Sequence, residues 1–189
     1  FPYTTLFRSV KDYQLQHNAV IKLNPAGNLI FKNVFAETGK NGHTEFVGTD
    51  NAGNIYINGN TDTIAFNNNP HIVTIKYTAA GNLAWVRKEK DHTYTGRNIF
   101  GGFLCDTAGN CYVTGYVHLS SINDDWILSK YNAGGTQQFT TQNGSAANGE
   151  DRPCGIVVDA AGYIYVTGNY ANPVPKVTDG FATVQYSPA

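Results

Sequence analysis

One ten-residue phrase occurs three times in this chain, and its recurrence limits the possible folds more than any other feature. The copies are Asp50-Asn51-Ala52-Gly53-Asn54-Ile55-Tyr56-Ile57-Asn58-Gly59, Asp106-Thr107-Ala108-Gly109-Asn110-Cys111-Tyr112-Val113-Thr114-Gly115 and Asp159-Ala160-Ala161-Gly162-Tyr163-Ile164-Tyr165-Val166-Thr167-Gly168. A second series interleaves with the first: Ile21-Lys22-Leu23-Asn24-Pro25-Ala26-Gly27-Asn28, Ile75-Lys76-Tyr77-Thr78-Ala79-Ala80-Gly81-Asn82 and Lys130-Tyr131-Asn132-Ala133-Gly134-Gly135. Lys22, Lys76 and Lys130 are 54 residues apart each time. A fixed period of this length means stacked supersecondary units, none of which buries its apolar face alone. It defines a scaffold, and scaffolds of this kind carry many functions.

The balance of 13 basic and 14 acidic side chains excludes a long-range field that would gather nucleic acid or anionic lipid. No run approaches the roughly 20 apolar residues that span a bilayer, and no signal peptide is visible. Residues Phe1-Pro2-Tyr3-Thr4-Thr5-Leu6-Phe7-Arg8-Ser9 read as the translation of TTTCCCTACACGACGCTCTTCCGATCT, the end of a common sequencing adapter. Residues 1–9 are therefore set apart as an artefactual leader, with repeats expected over 10–189. Both termini are expected to cut a repeat in mid-unit.

Within one period, turn chemistry separates four β-type runs, in the second copy 98–105, 110–116, 125–131 and 136–141. The first two are joined by Asp-x-x-Gly-Asn, where Asp accepts backbone hydrogen bonds and Gly supplies positive φ. A similar glycine turn joins the third and fourth, giving an antiparallel meander. Second-strand cores such as Cys111-Tyr112-Val113 are apolar on both pleat faces, whereas a half-buried strand alternates. The fourth run is polar, with Arg87, Lys88 and Glu89 in one copy and Gln137, Gln138 and Thr140 in another, as suits an outer edge. Such units stacked face to face make an all-β fold, a β-propeller of four-stranded antiparallel blades.

The phrase Asp-x-x-Gly-Asn-x-Tyr-Val-Thr-Gly, followed by Asp124-Asp125-Trp126-Ile127-Leu128-Ser129-Lys130-Tyr131-Asn132-Ala133-Gly134-Gly135, resembles the SBBP (beta-propeller) repeat of bacterial surface and secreted proteins. The resemblance runs from about Val10 to the end. Tyr163 departs from it where the repeat has Asn, and His71 where Asp or Gly is usual. It implies a propeller, often seven-bladed, in exported multidomain proteins, and so an extracellular or cell-surface location, usually without an assigned activity. The expected parts are a partial blade at 10–40, blades at 44–89 and 98–141, and a partial blade at 153–189. A closed ring of 4 to 8 blades needs about 16 to 32 strands. Roughly 13 strands on this count make an open arc of about 3 to 3.5 blades, whose bare faces favour self-association.

The short turns are nearly identical between copies, so Asp50, Gly53, Asn54, Asp106, Gly109, Asn110, Asp159 and Gly162 are assigned to turn geometry. Each turn offers one carboxylate, too few for a calcium site. The opposite connections are long and dissimilar, and binding is expected there, at His92, Tyr94, Arg97, His118 and Arg152. Asp124, Asp125 and Asp179 read as surface turn residues. The histidines lack zinc-ligand spacing, and no nucleophile elbow or phosphate-cradling loop occurs. Neither a metal nor any other cofactor is assigned. Cys105 and Cys111 flank the Asp106 turn within disulfide reach if the strands pair, while their counterparts Thr49 and Ile55, or Val158 and Ile164, favour buried thiols. Cys154 lies outside that pair.

These features point to a noncatalytic module binding protein or glycan, with no nucleic acid partner and no membrane span. Two alternatives carry different signatures. A propeller lyase or lactonase would hold a metal in its central channel, but Glu45, Arg97 and Arg152 at the inner-strand entrances are a mixed set for a cation. A structural spacer in a large adhesin-like chain would need no site at all.

Overall fold

The computed structural model describes residues 4–7, 10–12, 15–63, 71–89, 98–120, 123–145, 149–171 and 180–188. Among them are fifteen strands and no helix, joined in antiparallel ladders into four sheets. The chain divides into two compact units, Phe1–Glu89 and Lys90–Ala189.

In the first unit, β1 (Thr4–Phe7), β2 (Val10–Asp12), β3 (Leu15–Leu23) and β4 (Leu29–Phe35) make one sheet. β1 and β2 run along the same side of β3 in one unbroken register, from Thr4 opposite Leu23 to Asp12 opposite Leu15, and β4 takes the other side. Four of the nine residues set apart as a leader thus form a strand, standing where the other sheets have their second strand. The other sheet is a meander of β5 (Lys40–Thr49), β6 (Ile55–Thr63), β7 (His71–Tyr77) and β8 (Leu83–Lys88). Val20, Ile55, Ile57, Val73, Ile75 and Tyr77 form the core of this unit, flanked by Phe31, Phe35, Val47 and Val86.

The second unit repeats the plan. β9 (Asn98–Cys105), β10 (Cys111–Ser120), β11 (Asn123–Tyr131) and β12 (Gln137–Asn143) form a meander. β13 (Arg152–Val158), β14 (Ile164–Tyr170) and β15 (Gly180–Tyr186) form a three-stranded sheet. Tyr112, Trp126, Leu128, Ile164 and Val166 make its core. The middle strands of the two four-stranded meanders are buried on both faces, as at Ile72–Tyr77 and Cys111–Gly115, while outer strands β4 and β12 alternate between exposed and half-buried. β14 departs from the expectation drawn from Ile164-Tyr165-Val166: Ile164, Val166 and Gly168 are buried, but Tyr165 is half-buried and Thr167 and Asn169 are exposed, so only one of its faces is covered. Each fully buried Ile, Val or Leu contributes about 1.5–3 kcal/mol, against at most about 1 kcal/mol for a surface pair such as Lys88 with Glu37. Apolar stacking of sheets therefore dominates the stability.

The strands overrun the expected limits at the end away from the short turns. β10 continues through Val117 and His118, which pair with Asp125 and Asp124, so the link expected between Tyr116 and Asp124 is mostly hairpin. Val117 is fully buried, and that burial extends the ladder.

At the other end, one carboxylate organises each short turn. Asp50 accepts from the Asn54 backbone at 2.9 Å, the Asn54 side chain at 2.8 Å and the Tyr56 hydroxyl at 2.9 Å. Asp106 binds Asn110 and Tyr112 in the same way, and Asp159 binds the Tyr163 backbone and the Tyr165 hydroxyl. The glycine of each turn has φ between 75° and 88°, where a side chain is strained. The period-54 lysines close the arrangement: Lys76 lies 4.9 Å from the Tyr56 ring centroid and 4.0 Å from Asp50, and Lys130 lies 5.5 Å from that of Tyr112. Burial would raise the Asp50 pKa, but the bonds from Asn54 and Tyr56, with the Lys76 charge, hold it below the ordinary carboxylate value. The unfolded chain thus binds this proton more readily. The stabilisation is complete above the unfolded value of about 3.8 and vanishes as pH falls through the lower folded value. Asp50→Ala should cost about 1.5–3 kcal/mol at pH 7, and the difference from the parent should shrink below pH 4 in urea melts.

The last glycine of each phrase has a different task. The first strand of each of the last three sheets carries a bulge, at Glu45, Gly101 and Cys154, opposite the second-strand pairs Asn58/Gly59, Thr114/Gly115 and Thr167/Gly168. A Cβ on Gly59 would lie 1.8 Å from the His43 carbonyl oxygen, and one on Gly168 would lie 2.2 Å from that of Arg152. Gly59→Ala should therefore cost about 1–3 kcal/mol in chemical denaturation, despite the small side chain added.

Candidate functional site

In the second unit, opposite the short turns, side chains from two segments meet on one buried carboxylate. The β10–β11 hairpin supplies Tyr116, His118 and Asp124. The segment entering β13 supplies Glu150, Asp151 and Arg152. Backbone bonds join the two, Asp124 N–H to Gly149 O at 3.0 Å and Asp151 N–H to Asp124 O at 2.9 Å, around an isolated parallel bridge from Asp124 to Glu150.

Asp124 is fully buried, which corrects its reading as a surface turn residue. Its Oδ1 faces His118 Nδ1, and its Oδ2 accepts from Arg152 Nε at 3.0 Å. A carboxylate with two cationic or polar donors tolerates burial, whereas an isolated one would not. Because an ionised carboxylate only accepts, His118 holds its proton on Nδ1, and in the neutral ring Nε2 is an acceptor. Arg152 is fixed on further sides, with Nη2 3.1 Å from Glu150 Oε2 and the guanidinium 5.2 Å from the Tyr116 ring centroid. Burial lowers its pKa, but the Asp124 bond and the Tyr116, Glu150 and Asp124 charges outweigh that and raise it. Arg152 is charged at every physiological pH.

Beneath the rim, Asp151 is also fully buried and accepts from Ala171 N–H at 2.6 Å and Ser145 N–H at 2.5 Å. The Tyr170 hydroxyl donates to Gly144 O at 2.8 Å, and its ring packs edge-on against Trp126 at 5.7 Å. Burial, with the Asp151 and Asp125 charges, pushes the Tyr170 pKa up. Asp125 meets water at the side, bonded to Gln142 Nε2 at 2.7 Å. The side chains of His118 and Arg152 stay 38% and 43% exposed above this base.

The rim is a fixed polar and aromatic surface. Its acidic groups outnumber its permanent cations, so it is no phosphate cradle. A His held by a carboxylate has the orientation of a general base, but among the described residues no hydroxyl or thiol is hydrogen-bonded to the ring. No group of three His, Cys, Asp or Glu side chains among the described residues stands close enough to hold a metal.

Of the five expected binding residues, the structure brings His118 and Arg152 together. His92, Tyr94 and Arg97 lie outside the described residues, as does Asp179. The sequence reading missed Tyr116, Glu150 and Asp151. One signal was usable: Glu150-Asp151-Arg152 sets three charged residues side by side at the end of a long link.

No family model matches the chain, and no curated protein matches it. Among solved structures it is similar to a protein of unknown function from Bacteroides caccae, at 10% identity and a TM-score of 0.32. That likeness covers 88% of this chain and 65% of the other, so the chain spans less than two thirds of that protein. No helix among the described residues is long and apolar enough to cross a membrane.

Arg152→Ala should cost about 2–3 kcal/mol, because Asp124 would stay buried with His118 alone. Glu150→Ala should cost under about 1 kcal/mol, its carboxylate being exposed. Equal losses in paired denaturation curves would contradict this division.

Proposed function

We propose that the chain is part of an SBBP-type β-propeller and serves as a noncatalytic interaction module of an exported protein. Its ligand, a protein or a glycan, meets the rim formed by Tyr116, His118, Glu150 and Arg152. One observation carries this reading: a permanently charged guanidinium is left 43% exposed while being held by Asp124, Glu150 and the Tyr116 ring. Pinning Arg152 before a ligand arrives removes most of its ordering cost on binding, and Arg beside an aromatic ring is a frequent energetic anchor of interfaces.

Support for the propeller comes from the repeat: meanders in the expected strand order, middle strands dry on both faces in the two four-stranded meanders, and bulges recurring at the same blade position. An open arc of such blades leaves outer faces that a closed ring would cover. On the last sheet Phe181 is 95% exposed and Val157 60%.

Two measurements test these readings. In a screen against glycans and bacterial surface proteins, the chain should bind, and Arg152→Lys should weaken the complex at least tenfold (about 1.4 kcal/mol) while the fold stays intact. Binding that is indifferent to Arg152, or no binding at all, would remove the proposal. In size-exclusion chromatography the chain should self-associate with rising concentration, and Phe181→Ser should shift it toward monomer. A monomer throughout would contradict the open arc.

A further inference from the structure

We propose that Cys105 and Cys111 are a modification site, closing into a cross-strand disulfide when they meet a disulfide-bearing oxidant. The two residues face each other directly across β9 and β10. The next pair toward the turn, Asp106 with Asn110, is hydrogen-bonded, through Asp106 N–H to Asn110 O at 2.9 Å. Hydrogen-bonded and non-hydrogen-bonded pairs alternate along an antiparallel ladder, so Cys105 and Cys111 occupy the non-hydrogen-bonded kind. That kind brings Cα atoms to about 4.5 Å, inside the range a disulfide spans, so the bond needs no backbone movement. The side chains already converge, with Sγ 2.7 Å from Sγ.

The same cross-strand site exists in the neighbouring blades, where Thr49 faces Ile55 and Val158 faces Ile164. The geometry is thus a property of the repeat, and this one copy fills both positions with thiols. Cys111 is fully buried, while Cys105 is half-buried at the turn and supplies the first nucleophile. The Cys105 thiolate attacks one sulfur of the oxidant, forming a mixed disulfide and expelling one thiolate. The Cys111 thiolate then attacks Cys105 Sγ and expels the second. Two protein thiols are oxidised, their electron pair reduces the oxidant to two thiolates, and the two protons they lose convert these to thiols. The bond clamps the base of the turn held by Asp106, and a thiol reductant reverses it.

The test uses Cys154→Ser protein, because exposed Cys154 would form bonds between molecules. After incubation with oxidised glutathione, unfolding and alkylation, intact mass should show the loss of two hydrogens and no alkyl group. Prior reduction should restore two alkyl groups. Cys105→Thr, which copies the partner of Ile55, keeps the fold and should retain an alkylatable Cys111. Two alkyl groups after oxidation, or a persistent glutathione adduct on Cys105, would overturn the proposal.

Discussion

Three of the four sheets each depend on a single carboxylate placed where two strands reverse. Asp50 and Asp106 each satisfy a backbone N–H, an Asn amide and a Tyr hydroxyl, and Asp159 binds backbone N–H groups and a Tyr hydroxyl. The Tyr sits on the middle strand and the Lys facing it comes from the next strand, so one anion ties the turn to two strands. Where the last sheet lacks the Lys, Gln185 stands in that register position and donates to the Tyr165 hydroxyl at 3.0 Å. An amide thus replaces the ammonium without loss of the hydrogen-bonded chain. The turn fixes register, and register decides which side chains reach the apolar core.

That part of the fold was legible because its causes are local. An Asp four residues before an Asn, with Gly between, can bond only within its own turn, and Tyr two residues further lies on the same pleat face as that Asn. The dryness of both faces was also readable in Cys111-Tyr112-Val113, which has no polar alternation to offer water, but the same pattern misled at Ile164-Tyr165-Val166, where Tyr165 is only half-buried. The bulges at Glu45, Gly101 and Cys154 were not readable, because they have unrelated side chains and share only a backbone position. Their trace is the invariant Gly of the opposite strand, which reads as a strand end until the His43 and Arg152 carbonyls are seen against Gly59 and Gly168.

The candidate site was half legible for the opposite reason. His118 and Arg152 stood out by chemistry and by falling where the repeats diverge. Asp124 misled, since adjacent acidic residues before a strand ordinarily face water. Its burial is decided by Arg152, 28 residues away and on another sheet. No local pattern encodes a partner at that distance. Of the adjacent pair, only Asp125 has the exposed surroundings that the local pattern suggests.

The two units show what the scaffold permits at the end away from its short turns. In the first unit the inner strands at that end carry amides and hydroxyls, Thr44 donating to Asn18 at 3.0 Å and Asn58 to Thr74 at 2.8 Å, and the charges there, Glu37 with Lys40 and Lys88, pair at the surface. In the second, the position matching Asn60 is Tyr116, and the hairpin carries His118 and Asp124 against Arg152. Amides and hydroxyls carry no charge that has to be neutralised. Asp151 meets its burial with two backbone N–H groups, whereas Asp124 is met by Arg152 and His118, side chains whose outer surfaces remain wet. Burying Asp124 therefore builds the exposed rim as a consequence: the charge that the interior has to neutralise determines which groups are fixed at the surface.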